Sequence, residues 1–238
     1  MILLENRAVI LVSGADAESY LQGLITNDIK KAHEHNLLYA AMLTPQGKIL
    51  FDFLIQKTPD GFLLDILASR AEALIKRLNM YKLRSAVEIK LLPDFKVYHS
   101  ANAGLPDPRN NKIGNRLITN ARQQTTADFT SYEAKRIEAG LAESEDLLPE
   151  QDFPLQASFE NMNGVSFDKG CYVGQEVTAR TKYKGNIKYA FYKITSDAPI
   201  IADGKTIRSA SGNNAIAHLE VTDLPTVNIG GAEYNVSH

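Results

Sequence analysis

Through the first hundred residues, apolar positions gather in short runs separated by turn residues, a pattern of strands interrupted by two helices. The runs 7–12 (RAVILV), 37–44 (LLYAAMLT), 49–56 (ILFDFLIQ) and 62–67 (FLLDIL) each predict a strand, the first of them buried. Pro45-Gln46-Gly47-Lys48 turns the second run into the third as a hairpin, and Thr58-Pro59-Asp60-Gly61 turns the third into the fourth. Helical spacing follows Ser13, a cap residue with Asp16 three positions on; Tyr20, Leu21, Leu24 and Ile25 share a face there. A second helix is predicted from Ser69 through Leu83, with Leu74, Leu78 and Tyr81 inward and Arg70, Lys76, Arg77 and Lys82 solvated. Strand 86–92 completes an order β-α-β-β-β-α-β joined mostly by hairpins, which indicates the α+β class, and 95–100 follows as a further strand.

Beyond residue 100 the pattern loosens. Residues 102–116, rich in Gly, Pro and Asn, read as a linker or surface loop. A helix is predicted over 127–139 with Gly140 as its stop, and 141–163 is acidic and irregular. The short β-type runs 187–195, 205–208, 214–221 and 225–229 predict a small barrel or sandwich. The expected division is a large domain over 1–185 and a small β domain over 186–238, which must dock on the first to bury enough surface.

Composition narrows the chemistry more than the fold. With 238 residues, 44% hydrophobic and 23% charged, the chain has the make-up of a globular protein. A net charge of −2 argues against general nucleic-acid binding. The single cysteine excludes an internal disulfide, a multi-thiolate zinc site and a self-contained Cys₄ iron–sulfur cluster, so any cluster must share ligands with a partner. No histidine is spaced to act as a base for Cys171, and His33 and His35 read as a surface pair. Neither a G-x-G-x-x-G turn nor a phosphate loop occurs. MILLENRAVI is too short an apolar run for a signal peptide, and no stretch nears the ~20 residues of a membrane span; the expected address is the cytoplasm.

The candidate chemistry centres on 164–186, GVSFDKGCYVGQEVTARTKYKGN. Cys171 lies among Gly170, Tyr172, Gly174, Gln175 and Glu176, and reads either as a small buried hydrophobe or as a functional thiol. An extended chain here would place Lys169 beside the thiol, lowering its pKa, and line one edge with Arg180, Lys182, Lys184 and Lys188. Upstream, Asp52 interrupts an apolar strand, which is tolerable for an exposed acid or for one facing a ligand.

KGCYVGQE resembles the K-G-C-Y-x-G-Q-E signature of the YgfZ-type folate-binding proteins of iron–sulfur cluster assembly and repair, relatives of the glycine cleavage T protein. Lys169, Gly170, Cys171, Tyr172, Gly174, Gln175 and Glu176 all match it. Gly14, Asp16, Ala17, Tyr20, Leu21, Gln22, Ile25, Thr26 and Asp28 fit the opening of the folate domain, and Arg136, Glu138 and Gly140 fit its R-x-E-x-G element. The resemblance implies a T-protein-like fold around a folate cavity, with Asp52 orienting the pterin of a tetrahydrofolate and Cys171 meeting the cluster. It also implies folate-binding roles for Arg136, Glu138, Lys169, Tyr172, Gln175, Glu176 and Arg180, with Lys182 and Lys184 as further candidates for the carboxylate tail. Two departures stand out: Phe51 replaces the first of the T protein's paired acids, and Gln156 replaces a usual Glu. Three functions stay open: a folate-binding accessory factor with assembly or client proteins as partners, an aminomethyltransferase, and a scaffold for protein or transfer RNA.

Overall fold

The computed structural model describes residues 1–185, 187–221 and 223–237, and builds them into three antiparallel sheets with helices. The first sheet has five strands in the order Leu37–Leu43, Ile49–Thr58, Gly61–Leu67, Arg7–Ser13 and Glu88–Leu91. Its central strands are apolar without alternation because both faces are covered. One face, with Ile10, Val12 and Phe53, packs under helices Ala17–Gln22 and Ala71–Lys82 through Leu21, Leu74 and Leu78. The other, with Val9, Tyr39 and Leu54, packs on Val97 and Ile118 of a four-stranded sheet, on Tyr132 of helix Phe129–Glu138, and on Phe159 and Tyr172.

That four-stranded sheet runs Ile2–Leu3, Lys96–Ser100, Asn115–Thr119, Leu105–Pro106. It corrects the reading of 102–116 as a linker or surface loop. This stretch returns to the fold as two strand pairings, and Gly104 at φ 84° lies where the chain crosses Arg116. The third sheet, in the order Ile207–Ser211, Asn214–Glu220, Tyr189–Thr195, Ala232–Ser237, Thr226–Ile229, encloses its own core of Tyr192, Ile194, Ile207 and Ala217. Strand Ala232–Ser237 had no counterpart in the sequence reading, because AEYNVS turns only Tyr234 and Val236 towards that core and is otherwise exposed. The proposed boundary at Asn186, and His238, fall outside the described residues.

The C-terminal sheet is fastened to the rest by charge as well as by packing. Arg208 donates to the Asp146 carbonyl at 2.8 Å and to the Asp152 carboxylate at 3.1 Å, while Ile216 packs on Ile137 and Ala142. The ring of His218 meets the Gln156 carbonyl at 3.2 Å.

Helix ends differ from expectation for local reasons. The first helix is only Ala17–Gln22: it starts after Asp16, whose carboxylate accepts the Ala86 N–H at 2.7 Å instead of capping it, and ends at Gly23. Ser69 falls in a 3-10 turn ahead of Ala71–Lys82 and caps nothing. Asp128, accepting from the Ser131 N–H, starts Phe129–Glu138. The largest correction concerns the signature. Gln175–Lys184 is a helix, entered through Gly174 at φ 82° and braced by the Glu176–Arg180 pair one turn apart. No extended basic edge exists there; Lys182 turns to Glu160, away from Arg180.

Candidate functional site: a buried acid and an exposed thiol

Asp52 lies on strand Ile49–Thr58 and is 3% exposed, so it is an interior acid and not a solvated one. Its Oδ2 accepts from the Tyr39 hydroxyl at 3.1 Å and from Ser144 Oγ at 2.9 Å. Ser144 in turn accepts from Arg7 Nη1 at 2.9 Å, so a guanidinium reaches the carboxylate through one hydroxyl.

Around this relay is a buried cluster that the sequence did not announce. Arg7 meets Asp65 at 2.6 Å, and Arg116 meets Asp65 at 2.7 Å, Asp107 at 3.2 Å and also Glu143. Arg109 grips Asp107 with two N–H groups, at 2.9 and 2.7 Å, and reaches Glu143 at 2.7 Å. Tyr132 donates to Glu143 at 2.5 Å. Three arginines thus balance Asp65, Asp107 and Glu143, and Asp52 is a fourth acid.

Titration follows that balance. Burial alone would raise Glu143, but Arg109, Arg116 and Arg7 hold it well below the usual carboxylate range. Asp107 is likewise lowered by Arg109 and Arg116 against burial. Asp52 is raised, because burial outweighs the help from Arg7 and Ser144.

Asp107, Arg109 and Arg116 come from the stretch taken for a loop, and Glu143 and Ser144 from the one taken for irregular. A usable signal was the pairing of acids and arginines in two stretches with few apolar residues to justify their folding. Arg136 positions this second stretch: buried, it grips Glu133 at 2.6 Å and Asp146 at 2.8 Å, and Asp146 accepts the Glu143 N–H at 2.8 Å. Its partner in the R-x-E-x-G element, Glu138, is exposed.

The signature separates into anchors and one presented atom. Lys169, 7% exposed, donates from Nζ to the carbonyls of Gln22, Ile25 and Asn27 at 2.8, 2.7 and 2.7 Å. Its ammonium lies 4.9 Å from the ring centre of Tyr172, which is itself buried. Burial draws Lys169 down to about 8 and pushes Tyr172 up to about 12. Lys169 therefore serves the 22–27 turn, not the thiol as an extended chain would have had it. Gly174 is obligatory, since a Cβ would come within 2.5 Å of the Thr44 carbonyl. Between these anchors Cys171 is exposed. Gln175 opens the helix, and Glu176 and Arg180 pair on its exposed side at 2.5 Å.

Acid and thiol therefore do not share a hollow. A cavity of 250 Å³ lies on the outer side of Arg109 and of Leu141 and Ala142, and neither Cys171 nor Asp52 is in its wall. Arg109 lies 5.3 Å from the Tyr39 ring centre and Tyr39 bonds Asp52, so two side chains connect the cavity wall to the acid. A pterin needs an acceptor for its N–H edge and a flat wall. Asp52 has the acceptor chemistry, but it is 3% exposed and already accepts two hydroxyls, and Tyr39 is closed between Arg109 and Phe159; the cavity lies just under the ~300 Å³ at which ligand pockets commonly begin.

No family model matches the chain. Among curated proteins, the mitochondrial iron–sulfur cluster assembly factor IBA57 homologue of Neurospora crassa is 36% identical over 78% of this chain. IBA57 of Mus musculus is 32% identical over 84% of this chain and 67% of its own length; that of Homo sapiens is 31% identical over 88% and 71%. The chain belongs to the IBA57 family. It spans about half the length of the fungal relatives, 51% of the Neurospora protein and 54% of those of Pyricularia oryzae and Mycosarcoma maydis. The aminomethyltransferase T of the glycine cleavage system from Bartonella henselae superposes with a TM-score of 0.76 over 99% of this chain and 83% of its own, at 13% identity. That likeness establishes the T-protein fold, and with the IBA57 kinship it bears out the YgfZ-type resemblance read from the signature. One expectation is overturned. These IBA57 relatives are named mitochondrial, against the cytoplasmic address inferred from MILLENRAVI. Those first residues are part of the fold, since Ile2 and Leu3 pair with His99 and Tyr98 and Leu4 is buried.

Proposed function

We propose that this chain is an accessory protein of iron–sulfur cluster assembly that offers Cys171 as one thiolate to a cluster shared with a partner, and that binds a tetrahydrofolate beside Asp52. The observation that carries the first part is the exposed sulfur held between two buried anchors, Lys169 and Tyr172. A cluster needs several ligands and this chain has one cysteine; among the described residues no group of His, Cys, Asp and Glu could hold a metal ion. The remaining ligands come from the partner, an assembly or client protein. Rigid anchoring lowers the entropy lost when the thiolate joins a cluster. The relatives' names, which assign iron–sulfur cluster assembly to them, support the same reading.

For the folate, Asp52 would accept from the N–H edge of the pterin, with Arg109, which lines the neighbouring cavity, beside it. When bound, a tetrahydrofolate supplies a one-carbon carrier or reductant; the chain's own part is to orient it and to exclude water. Arg180, on the exposed helix, stands with Glu176 outside this cavity. The aminomethyltransferase reading and the RNA-scaffold reading draw no specific support from the site.

Anaerobic mixing with a [2Fe–2S]-loaded carrier protein tests the thiol: wild type should form a complex that keeps the cluster's visible absorbance, and Cys171→Ser should not. Equal behaviour of the two would remove Cys171 from the reading. Calorimetric titration with tetrahydrofolate tests the acid. Asp52→Asn should weaken binding about 10- to 100-fold, the value of a hydrogen bond to a charged group; no binding by wild type would end the folate part alone.

A further inference from the structure

On the other face of strand Ile49–Thr58, away from Asp52, a groove of 510 Å³ opens between the start of that strand, helix Ala71–Lys82 and the turn at Pro149-Glu150. Its floor is apolar, made by Leu50 and the Phe51 ring. Its wall is one helical face: Arg70, Ala73, Arg77 and Met80 recur at spacings of three and four, with Lys76 beside them. The sequence reading had these cations simply solvating the helix.

Among the described residues neither Lys76 nor Arg77 makes a hydrogen bond or an ion pair, and Arg70 has only the Phe51 ring, 5.6 Å from its guanidinium carbon. Burial draws the Arg70 guanidinium below its usual value against the fields of Asp52 and Glu150. Across the groove Glu150 is held in the left-handed region at φ 59°, its N–H tied to the Ile49 carbonyl at 2.8 Å. A non-glycine residue kept there is strained, and such strain persists where the surroundings fix it. Three cations against one acid leave the groove with a surplus of about two positive charges, in a chain whose net charge is −2. A guanidinium within cation–π distance of an aromatic ring places positive charge at one end of an apolar slot.

We infer that this groove is a second binding site, for an organic dianion with a flat apolar body: an aryl phosphate or aryl dicarboxylate. The anionic head lies between Arg70 and Arg77, and the ring lies on Phe51 and Met80. The volume suits a ligand of one or two rings, within the ~300–1,000 Å³ of small-molecule sites.

Phenyl phosphate, titrated while the Met80 methyl resonance is followed by NMR, tests this on the full chain. Saturable binding that shifts the Met80 methyl is expected, with inorganic phosphate and benzyl alcohol each at least tenfold weaker. Arg77→Gln and Arg70→Gln should each weaken phenyl phosphate about tenfold, as loss of a charge-assisted contact does. Glu150→Gln should tighten it two- to threefold, an opposite sign that a merely damaged fold cannot give. Inorganic phosphate binding as tightly as phenyl phosphate, an unmoved Met80, or unchanged affinity in both arginine variants would each overturn the assignment.

Discussion

Around Asp52 the chain buries charge against charge, whereas around Cys171 it buries the neighbours and leaves the reactive atom outside. In the first region Arg7, Arg109 and Arg116 are matched by Asp65, Asp107 and Glu143, so removing one group strands its partners in a low-dielectric interior. In the second, Lys169, Tyr172 and Gly174 carry the structural duty, and Cys171 itself has no packing role to lose. The contrast teaches that a conspicuous motif and a conspicuous function are different things. Most of KGCYVGQE is scaffold for one sulfur, while the densest electrostatics in the molecule comes from residues that form no motif.

The comparison breaks most visibly at Arg116. Arg116→Met should cost about 3–5 kcal/mol in urea unfolding, because Asp65, Asp107 and Glu143 lose a buried cation together. A loss under about 1 kcal/mol would mean the cluster is hydrated and not a closed network. Lys169→Met should be next, at about 2–3 kcal/mol, since three inward carbonyls lose their donor. Cys171→Ser, two residues away, should stay within about 0.5 kcal/mol of wild type, as exposed substitutions do. If those two values were reversed, the division into anchors and presented atom would be wrong.

Acid titration sharpens the difference between carboxylates inside the cluster. Glu143 has a folded pKa well below its model-compound value of 4.5, so its stabilisation is present above that pH and lost as pH falls towards the folded value. Asp52 has the opposite sign. Its folded pKa lies above 3.8, so from pH 3.8 up to that value the folded chain holds the extra proton and stability falls as pH rises. Unfolding free energies measured from pH 3 to 7 should therefore show Glu143→Gln removing an acid-sensitive contribution. Asp52→Asn should remove a penalty and leave the protein at least as stable at pH 7. A large loss in Asp52→Asn at neutral pH would show the carboxylate to be a net stabiliser. The smallest effect belongs to Glu176→Gln, about 0.3–0.5 kcal/mol, since its partner Arg180 is in water.

The strands of the first sheet were legible because 7–12, 37–44, 49–56 and 62–67 are apolar enough to be nothing else, and the turns at 45–48 and 58–61 carry their own chemistry. The helix Gln175–Lys184 was not legible. Its charged residues at 180, 182 and 184 satisfy the period of a strand, and only the left-handed Gly174, packed against Thr44 and Gly47, decides that a helix starts there. Asp107, Arg109 and Arg116 were missed because composition treats Gly, Pro, Asn and charge as signs of a surface.

By itself the sequence singled out one thiol and one strand-borne acid as candidates, and determined that the chain has a YgfZ-type signature on an α+β frame. Local spacing and residue type carry that information. Which acids are paired, which lysine faces inward, and that acid and thiol look in different directions were decided only by tertiary structure. The balance of buried charge is a sum over residues as far apart as Arg7 and Glu143, and no local pattern records it.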